Sequence, residues 1–150
     1  MSVVKALRFP TSVTWRGGRV TEASAPHKPD LELATPPEYQ SGVSGVWSPE
    51  ELLVSAVGSC YALTLVAIAE RLQIPLLAID VSGTGHVSRR DDGRYGFVAI
   101  ELDVELATDP AHRDAAVRAA RTAEQRCLVS MALDVPVHVA LESRVAEPVA

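Results

Sequence analysis

An uncharged run of 18 residues, 52–69, constrains the fold of this chain more than any other feature. Its length reaches the lower limit for a helix that crosses a bilayer. However, the run includes Ser55, Ser59 and Thr64, and neither a flanking cluster of Lys and Arg nor a second apolar run accompanies it. A helix buried on nearly all sides inside a soluble protein explains the run better, so we expect no membrane association.

The residues just before this run mark the start of a helix. Ser48 can cap it, Pro49 fits the first helical position, and Glu51 completes a Ser-x-x-Glu capping box. Because Pro75 cannot continue the helix, we expect it to end near Gln73.

Apolar and polar residues alternate on both sides of this helix, which predicts β-strands. Before the helix, strands at residues 3–15 and 19–25 flank Gly17-Gly18, a pair that can adopt the positive φ of a tight hairpin turn. Residues 30–34 predict a third strand. Residues 35–47 are rich in Pro, Gly and Ser and predict a loop.

The second half of the chain predicts more strands and one further helix. Strands are expected at residues 77–81, 98–106 and 135–141. Asp109-Pro110 predicts the start of a helix that ends near Cys127, with a short turn or helix after it. Strands, helix, strands, helix and strand together predict an α+β fold, and 150 residues suffice for one domain, residues 1–150.

Charge and composition argue against several classes of function. A net charge of −5 and few aromatic residues offer no surface for nucleic acid, so none is expected as a partner. The four histidines lack metal-ligand spacing, and Gly83 and Gly85 predict strand irregularities rather than a nucleotide loop, so we expect no metal or cofactor. Residues 1–8 lack the apolar region of a secretory signal, so we expect a cytoplasmic protein with reduced thiols.

Cys60 lies in the middle of the uncharged run, and the only other cysteine, Cys127, follows 67 residues later. A thiol attacks as its thiolate, yet Cys60 is about 15 Å beyond the start of the helix, too far for the helix dipole. Because burial raises the pKa of a thiol, a reactive Cys60 requires an Arg or Lys from another part of the fold. The alternative is that Cys60 is a small core residue.

Several motifs together resemble the OsmC/Ohr family, named for osmotically inducible protein C and organic hydroperoxide resistance protein. The motifs are Ser48-Pro49-Glu50-Glu51-Leu52-Leu53, Ser59-Cys60, Ala123-Glu124-Gln125-Arg126-Cys127-Leu128-Val129-Ser130 and Gly17-Gly18-Arg19. The resemblance covers nearly the whole chain. It implies antiparallel sheets wrapped around a long buried central helix, in an intertwined homodimer with two active sites at the interface.

The resemblance also implies a role for each site residue. Cys60 is the expected peroxidatic nucleophile, Cys127 the resolving thiol, Glu50 a polar partner, and Arg19 the guanidinium that holds the thiolate. Arg16, in the same turn, is the alternative to Arg19. Glu50 and Cys60 are about 15 Å apart along one straight helix, so direct cooperation requires Glu50 from the other subunit.

The implied function is a thiol-dependent peroxidase that reduces organic hydroperoxides. The thiolate of Cys60 attacks the distal peroxide oxygen, the alcohol leaves, and the sulfenic acid condenses with Cys127 to a disulfide. An external dithiol, for which a lipoyl-bearing protein is a candidate, then reduces the disulfide. Apolar neighbours such as Tyr61, Leu63 and Trp47 favour organic over hydrogen peroxide as the substrate.

Two other functions stay open on the sequence. The dimer could bind an apolar small molecule with its cysteines as packing, or Cys60 could be the nucleophile of a hydrolase. Leu128 is a departure from the family pattern, which often has proline after the second cysteine. Proline would remove a donor and preset a short helix, so we expect Leu128 to change how Cys127 is presented.

Overall fold

The computed structural model of this protein describes residues 6–145 of the chain. The chain divides into two compact units, Met1–Leu52 and Leu53–Ala150, and the long helix α1 begins in the first and continues in the second. The predicted succession of strands, helix, strands, helix and strand is confirmed. In chain order the elements are β1 (Ser12–Gly17), β2 (Val20–Ser24), β3 (Leu31–Ala34), α1 (Pro49–Arg71), β4 (Leu76–Arg89), β5 (Tyr95–Thr108), a 3-10 turn (Pro110–His112), α2 (Arg113–Arg126), α3 (Leu128–Met131) and β6 (Val137–Val145).

The first unit contains an antiparallel sheet with the strand order β1-β2-β3. The predicted hairpin is confirmed, because Gly17 and Gly18 join β1 to β2 with φ of +105° and +54°, which glycine adopts without steric cost. β1 begins at Ser12, later than predicted. Pro10, with a fixed φ and no N–H, precedes the paired residues, and residues 3–5 of the predicted strand lie outside the described residues.

The loop of residues 35–47 is held by backbone contacts. The amide of Val43 donates a hydrogen bond to the carbonyl oxygen of Thr35 at 2.9 Å. A Cβ atom at Gly42 would lie 2.0 Å from the carbonyl oxygen of Pro36, so this approach of the two segments requires glycine. The loop therefore follows a defined path to the start of α1.

The predicted capping box at the start of α1 is confirmed. The Ser48 hydroxyl accepts a hydrogen bond from the Glu51 amide at 3.1 Å, and the Glu51 carboxylate accepts one from the Ser48 amide at 2.9 Å. At the other end α1 stops at Arg71, two residues before the predicted end. Gln73 turns the chain with a φ of +56°, and the Ile74 amide donates back to the helix.

The second unit contains a sheet with the strand order β4-β5-β6. β4 and β5 are antiparallel, but β6 runs parallel to β5, so the expectation of wholly antiparallel sheets is wrong for this strand. The reason is the connection, since α2 and α3 carry the chain back across the sheet before β6 begins, as parallel pairing requires. The predicted alternation along β5 is confirmed: Ile100, Leu102, Val104 and Leu106 are buried.

The core of the second unit lies between this sheet and the helices. One face of α1, including Val57, Tyr61 and Leu65, packs with buried alanines of α2 in the same cluster. The buried alanines are at positions 116, 119, 120 and 123, whereas Ala111 lies exposed in the 3-10 turn. These small side chains allow α2 to pack closely.

Gly83 and Gly85 lie inside β4, where α1 approaches the strand. A Cβ atom on Gly83 would lie 2.7 Å from one methyl group of Val54, and a Cβ atom on Gly85 would lie 2.7 Å from the other. The two glycines therefore serve the contact between helix and sheet, in agreement with their interpretation as a feature of the strand.

The opposite face of α1 is exposed in the single chain. It carries an uncharged stripe, the exposed stripe of α1, formed by Ser55, Ala56, Ser59, Leu63 and Ala67. By length and composition alone α1 could cross a membrane, and a third of the residues in its most apolar 18-residue window are buried inside the protein. We expected α1 to be buried on nearly all sides, but the single chain buries one face of the helix only.

Candidate active site around two thiols

The fold brings the two cysteines together although 67 residues separate them in the sequence. Cys60 lies on α1, Cys127 lies between α2 and α3, and both are free thiols. The Cys127 thiol donates a hydrogen bond to the carbonyl oxygen of Val57, with a sulfur–oxygen distance of 3.9 Å, and it lies close enough to the Cys60 thiol to lower its pKa. The two thiols that were predicted to react with each other therefore lie close together, and the disulfide between them stays a prediction.

The backbone around Cys127 creates the other side of the site. α2 ends at Arg126, and Cys127 adopts an extended conformation with φ −67° and ψ 108°. The short helix α3 begins at the next residue, so the amides of Leu128 and Val129 have no partner within the helix. Both amides act as hydrogen-bond donors to the Cys60 thiol.

Burial raises the pKa of the Cys60 thiol, but hydrogen bonds to the sulfur outweigh this effect. Four neighbouring polar groups hold the pKa of Cys60 below its ordinary value: the Val129 amide, the Cys127 thiol, the Thr64 hydroxyl and the Leu128 amide. The Cys60 thiol is only partly buried. The site therefore favours a thiolate at Cys60 that solvent can reach.

All four groups that lower the pKa of Cys60 are neutral donors. The expectation of an Arg or Lys at Cys60 stays a prediction, but it considered charged side chains and the dipole of α1 alone and missed these neutral groups. Two of these groups are backbone amides, and because nearly every residue has an amide, the sequence gives no signal for them. The spacing of Thr64, four residues after Cys60 on a predicted helix, could have revealed it in the sequence. In the structure its hydroxyl donates to the Cys60 carbonyl oxygen at 2.7 Å.

Leu128 acts on the Cys60 thiol through its main chain, and its effect on how Cys127 is presented stays a prediction. Its amide is one of the donors that lower the pKa of Cys60, and proline at this position has no N–H to donate. The Leu128 side chain is 73% exposed, so it is the main chain of this residue that serves the thiol.

Glu50 lies in the first turn of α1, ten residues before Cys60. Helix geometry separates the two by about 15 Å, so Glu50 of the same chain does not reach the Cys60 sulfur. One carboxylate oxygen of Glu50 is buried and lacks a hydrogen-bond partner among residues 6–145. A buried carboxylate oxygen of this kind calls for a donor from elsewhere.

Arg19 lies exposed in the turn between β1 and β2, in the first unit. Its carbonyl oxygen accepts a hydrogen bond from the Thr35 amide at 3.1 Å. Arg16, the alternative, forms an ion pair with Glu22 across the hairpin. The role of Arg19 at the thiolate stays a prediction, and the pairing of Arg16 leaves Arg19 as the better candidate of the two.

Tyr61 has a different place from the one expected. It is 1% exposed, and its hydroxyl donates a hydrogen bond to the carbonyl oxygen of Ala120 at 3.2 Å. Burial raises the pKa of Tyr61 to about 12. Tyr61 therefore joins α1 to α2, the helix that leads to Cys127, and it does not offer its ring to a substrate.

Large apolar side chains are exposed on both segments that carry the thiols. Leu63 on α1 is 65% exposed, and Leu128 and Met131 on α3 are 73% and 62% exposed. Trp47, which was also expected near the substrate, is 49% exposed in the first unit. The elements that hold the two sulfur atoms thus present apolar rather than charged surface.

The chain is thus an α+β protein with two neighbouring free cysteines, one of which has a lowered pKa. Residues 42–142 match the family model described as OsmC-like protein. The chain therefore belongs to the OsmC-like protein family. The match begins after Arg19, so the first hairpin lies outside it. Among curated proteins, none matches the sequence.

Solved structures with the same fold cover nearly all of the chain. An OsmC-like protein of unknown function from Vibrio cholerae has a TM-score of 0.84 at 14% identity, covering 91% of this chain and 100% of that one. An organic hydroperoxide resistance protein from Elizabethkingia anophelis has a TM-score of 0.76 at 18% identity, covering 96% and 100%. One from Legionella pneumophila has a TM-score of 0.73 at 21% identity, covering 95% and 100%. The predicted α+β, OsmC-like fold is confirmed.

Proposed function

We propose that this protein is a thiol-dependent peroxidase that reduces organic hydroperoxides. The observation that carries the proposal is the hydrogen-bonding contact between the Cys60 and Cys127 thiols, with backbone donors that favour the Cys60 thiolate. Family members named organic hydroperoxide resistance proteins share the fold and support the same reaction.

The proposed reaction has two steps on the protein. The Cys60 thiolate attacks the distal oxygen of the hydroperoxide, the O–O bond breaks, and the alkoxide takes up a proton and leaves as an alcohol. Cys60 is then a sulfenic acid. The neighbouring Cys127 sulfur attacks the Cys60 sulfur, water leaves, and a Cys60–Cys127 disulfide remains. No metal or cofactor takes part.

The substrate proposal rests on the apolar surface around the thiols. Leu63, Leu128 and Met131 expose hydrophobic area that can cover the organic part of a hydroperoxide and gains nothing from hydrogen peroxide. We therefore expect an organic hydroperoxide such as cumene hydroperoxide to react faster than hydrogen peroxide.

We further propose that the active site is completed in a homodimer. The exposed stripe of α1 is uncharged along its length, which is unusual for a helix face that meets water. The buried carboxylate oxygen of Glu50 lacks a partner among residues 6–145, and Arg19 of either copy can supply a guanidinium. Glu50 and Arg19 would then serve as polar groups around the thiolate.

The cycle closes by reduction of the disulfide. An external dithiol, for which a lipoyl-bearing protein is a candidate, would exchange with the Cys60–Cys127 bond and restore both thiols. We propose that this takes place in the cytoplasm, where a thiol pair is kept reduced between turnovers.

Mass spectrometry tests this function directly. One equivalent of cumene hydroperoxide added to the reduced protein should remove two hydrogens and link Cys60 to Cys127. Cys127→Ser is the matched control, since it should stop at the sulfenic acid, which dimedone traps on Cys60. An unchanged thiol pair would refute the proposal, and a co-purified apolar compound in that case would favour a binding protein.

A further inference from the structure

The two sulfur atoms of the site differ sharply in access. Cys127 is 1% exposed and belongs to the core cluster of the second unit. Cys60 is partly exposed and packs against the edge of the same cluster. A disulfide between them therefore has one sulfur that faces the core and one that solvent can reach.

Thiol–disulfide exchange demands a particular direction of attack. The incoming thiolate, the sulfur that it attacks and the sulfur that leaves lie close to a straight line, because the new S–S bond forms opposite the old one. Attack on Cys127 must come from the side opposite Cys60. Attack on Cys60 must come from the side opposite Cys127, and Cys60 is the partly exposed residue of the two.

The ease with which each thiolate leaves favours attack on Cys127 instead of Cys60. Four donors lower the pKa of Cys60, which makes Cys60 the better leaving thiolate and would direct attack to Cys127. This preference changes the rate by less than about tenfold for each unit of pKa difference. Reaching Cys127 requires the core around it to open, which reduces the reactive population by several powers of ten for well-packed residues, so access decides.

We infer that the reductant attacks the Cys60 sulfur of the disulfide and expels Cys127. The reducing thiolate forms a new S–S bond with Cys60, and the electron pair of the Cys60–Cys127 bond leaves with Cys127, which takes up a proton. In the mixed disulfide, the second thiol of the reductant then attacks the reductant sulfur that is bonded to Cys60. The reductant leaves as a cyclic disulfide, and the Cys60 thiolate returns.

This direction of reduction rests on the proposed function, which supplies the disulfide, and it assigns the two cysteines unequal parts. Cys60 meets both the peroxide and the reductant, whereas Cys127 never contacts an external reactant. One partly exposed sulfur on α1 is then the only point at which either reactant joins the protein.

The experiment starts from a disulfide made with diamide, so that it does not depend on peroxide turnover. The oxidised protein is treated briefly with 2-mercaptoethanol, quenched at low pH, and labelled with N-ethylmaleimide. Trypsin cleaves after Arg71 and Arg126, which separates Cys60 and Cys127 into different peptides for mass spectrometry. We expect mercaptoethanol on Cys60 and maleimide on Cys127, in at least about tenfold excess over the reverse pattern.

A control in guanidinium chloride isolates the effect of the fold. The unfolded disulfide exposes both sulfur atoms, so the preference should fall to within about threefold of even. Equal labelling in the folded protein, or mercaptoethanol mainly on Cys127, would overturn the inference. Absence of a diamide disulfide would overturn both this inference and the proposed function, whereas Cys60 labelling in a protein inert to hydroperoxide would overturn the function alone.

Discussion

Replacing Tyr61 with Phe removes one buried hydroxyl and should remove the part of the pH dependence of stability that this hydroxyl causes between about pH 9 and 12. Near pH 8 the variant loses the hydrogen bond from Tyr61 to the Ala120 carbonyl oxygen. A hydrogen bond of this kind contributes about 1 kcal/mol net to the free energy of unfolding. The Ala120 oxygen is a helix carbonyl, and it keeps its backbone bond. We therefore expect Tyr61→Phe to be less stable than the wild type by about 0.5–1.5 kcal/mol.

At higher pH the difference in stability between the two proteins should shrink. Burial raises the pKa of Tyr61 to about 12 in the folded protein, whereas an unfolded tyrosine ionises near pH 10. Because the folded-state pKa is the higher one, the contribution of protonated Tyr61 to the free energy of unfolding is present below pH 10 and is lost as the pH rises towards 12. The loss is about 1.4 kcal/mol by pH 11 and applies to the wild type alone. The two proteins should therefore be about equally stable near pH 11.

Urea denaturation followed by far-UV circular dichroism, at one protein concentration and at pH 8, 9, 10 and 11, measures this difference. Tyr95→Phe is the matched control, because Tyr95 is 73% exposed and its removal should leave the difference from the wild type constant. If the difference between Tyr61→Phe and the wild type stays constant from pH 8 to 11, the phenol is not buried as described, and the tie between α1 and α2 is refuted.

Two further substitutions test the site and the packing behind it. Thr64→Val removes a hydroxyl that lowers the pKa of Cys60, so it should slow alkylation by iodoacetamide at pH 6 by about threefold to tenfold. Thr64→Ser keeps the hydroxyl and should restore the rate. Equal rates in all three proteins would remove Thr64 from the site. Gly85→Ala places a Cβ atom 2.6 Å from the Phe97 ring and 2.7 Å from Val54. It should lower the free energy of unfolding, measured in urea, by about 1–3 kcal/mol. Gly93→Ala is the comparison, because it tests backbone strain without a clash. An unchanged midpoint for Gly85→Ala would contradict the close approach of α1 to β4.

Local signals in the sequence predicted much of the fold because their causes are local. The capping box at Ser48 and Glu51, the glycine turn after β1 and the alternation along β5 each depend on residues a few positions apart. The parallel direction of β6 was missed, because strand pairing depends on how a helical connection crosses the sheet and no residue pattern encodes it.

The candidate site was predicted less evenly. The resemblance implied that Cys60 and Cys127 act together, and the structure places the two thiols close to each other. The lowered pKa of Cys60 was assigned to a distant cation, whereas part of its cause lies in the amides of residues 128 and 129, which any amino acid except proline would supply. The parts of Glu50 and Arg19 stay predictions, since they concern groups that a single chain does not bring to the sulfur.

The main-chain origin of those two donors has an evolutionary consequence. A guanidinium is lost by one nucleotide change, but an amide survives nearly every substitution at its position. Residues 128 and 129 can therefore diverge in size and polarity while their amides, unless proline replaces either residue, keep their share in lowering the pKa of Cys60.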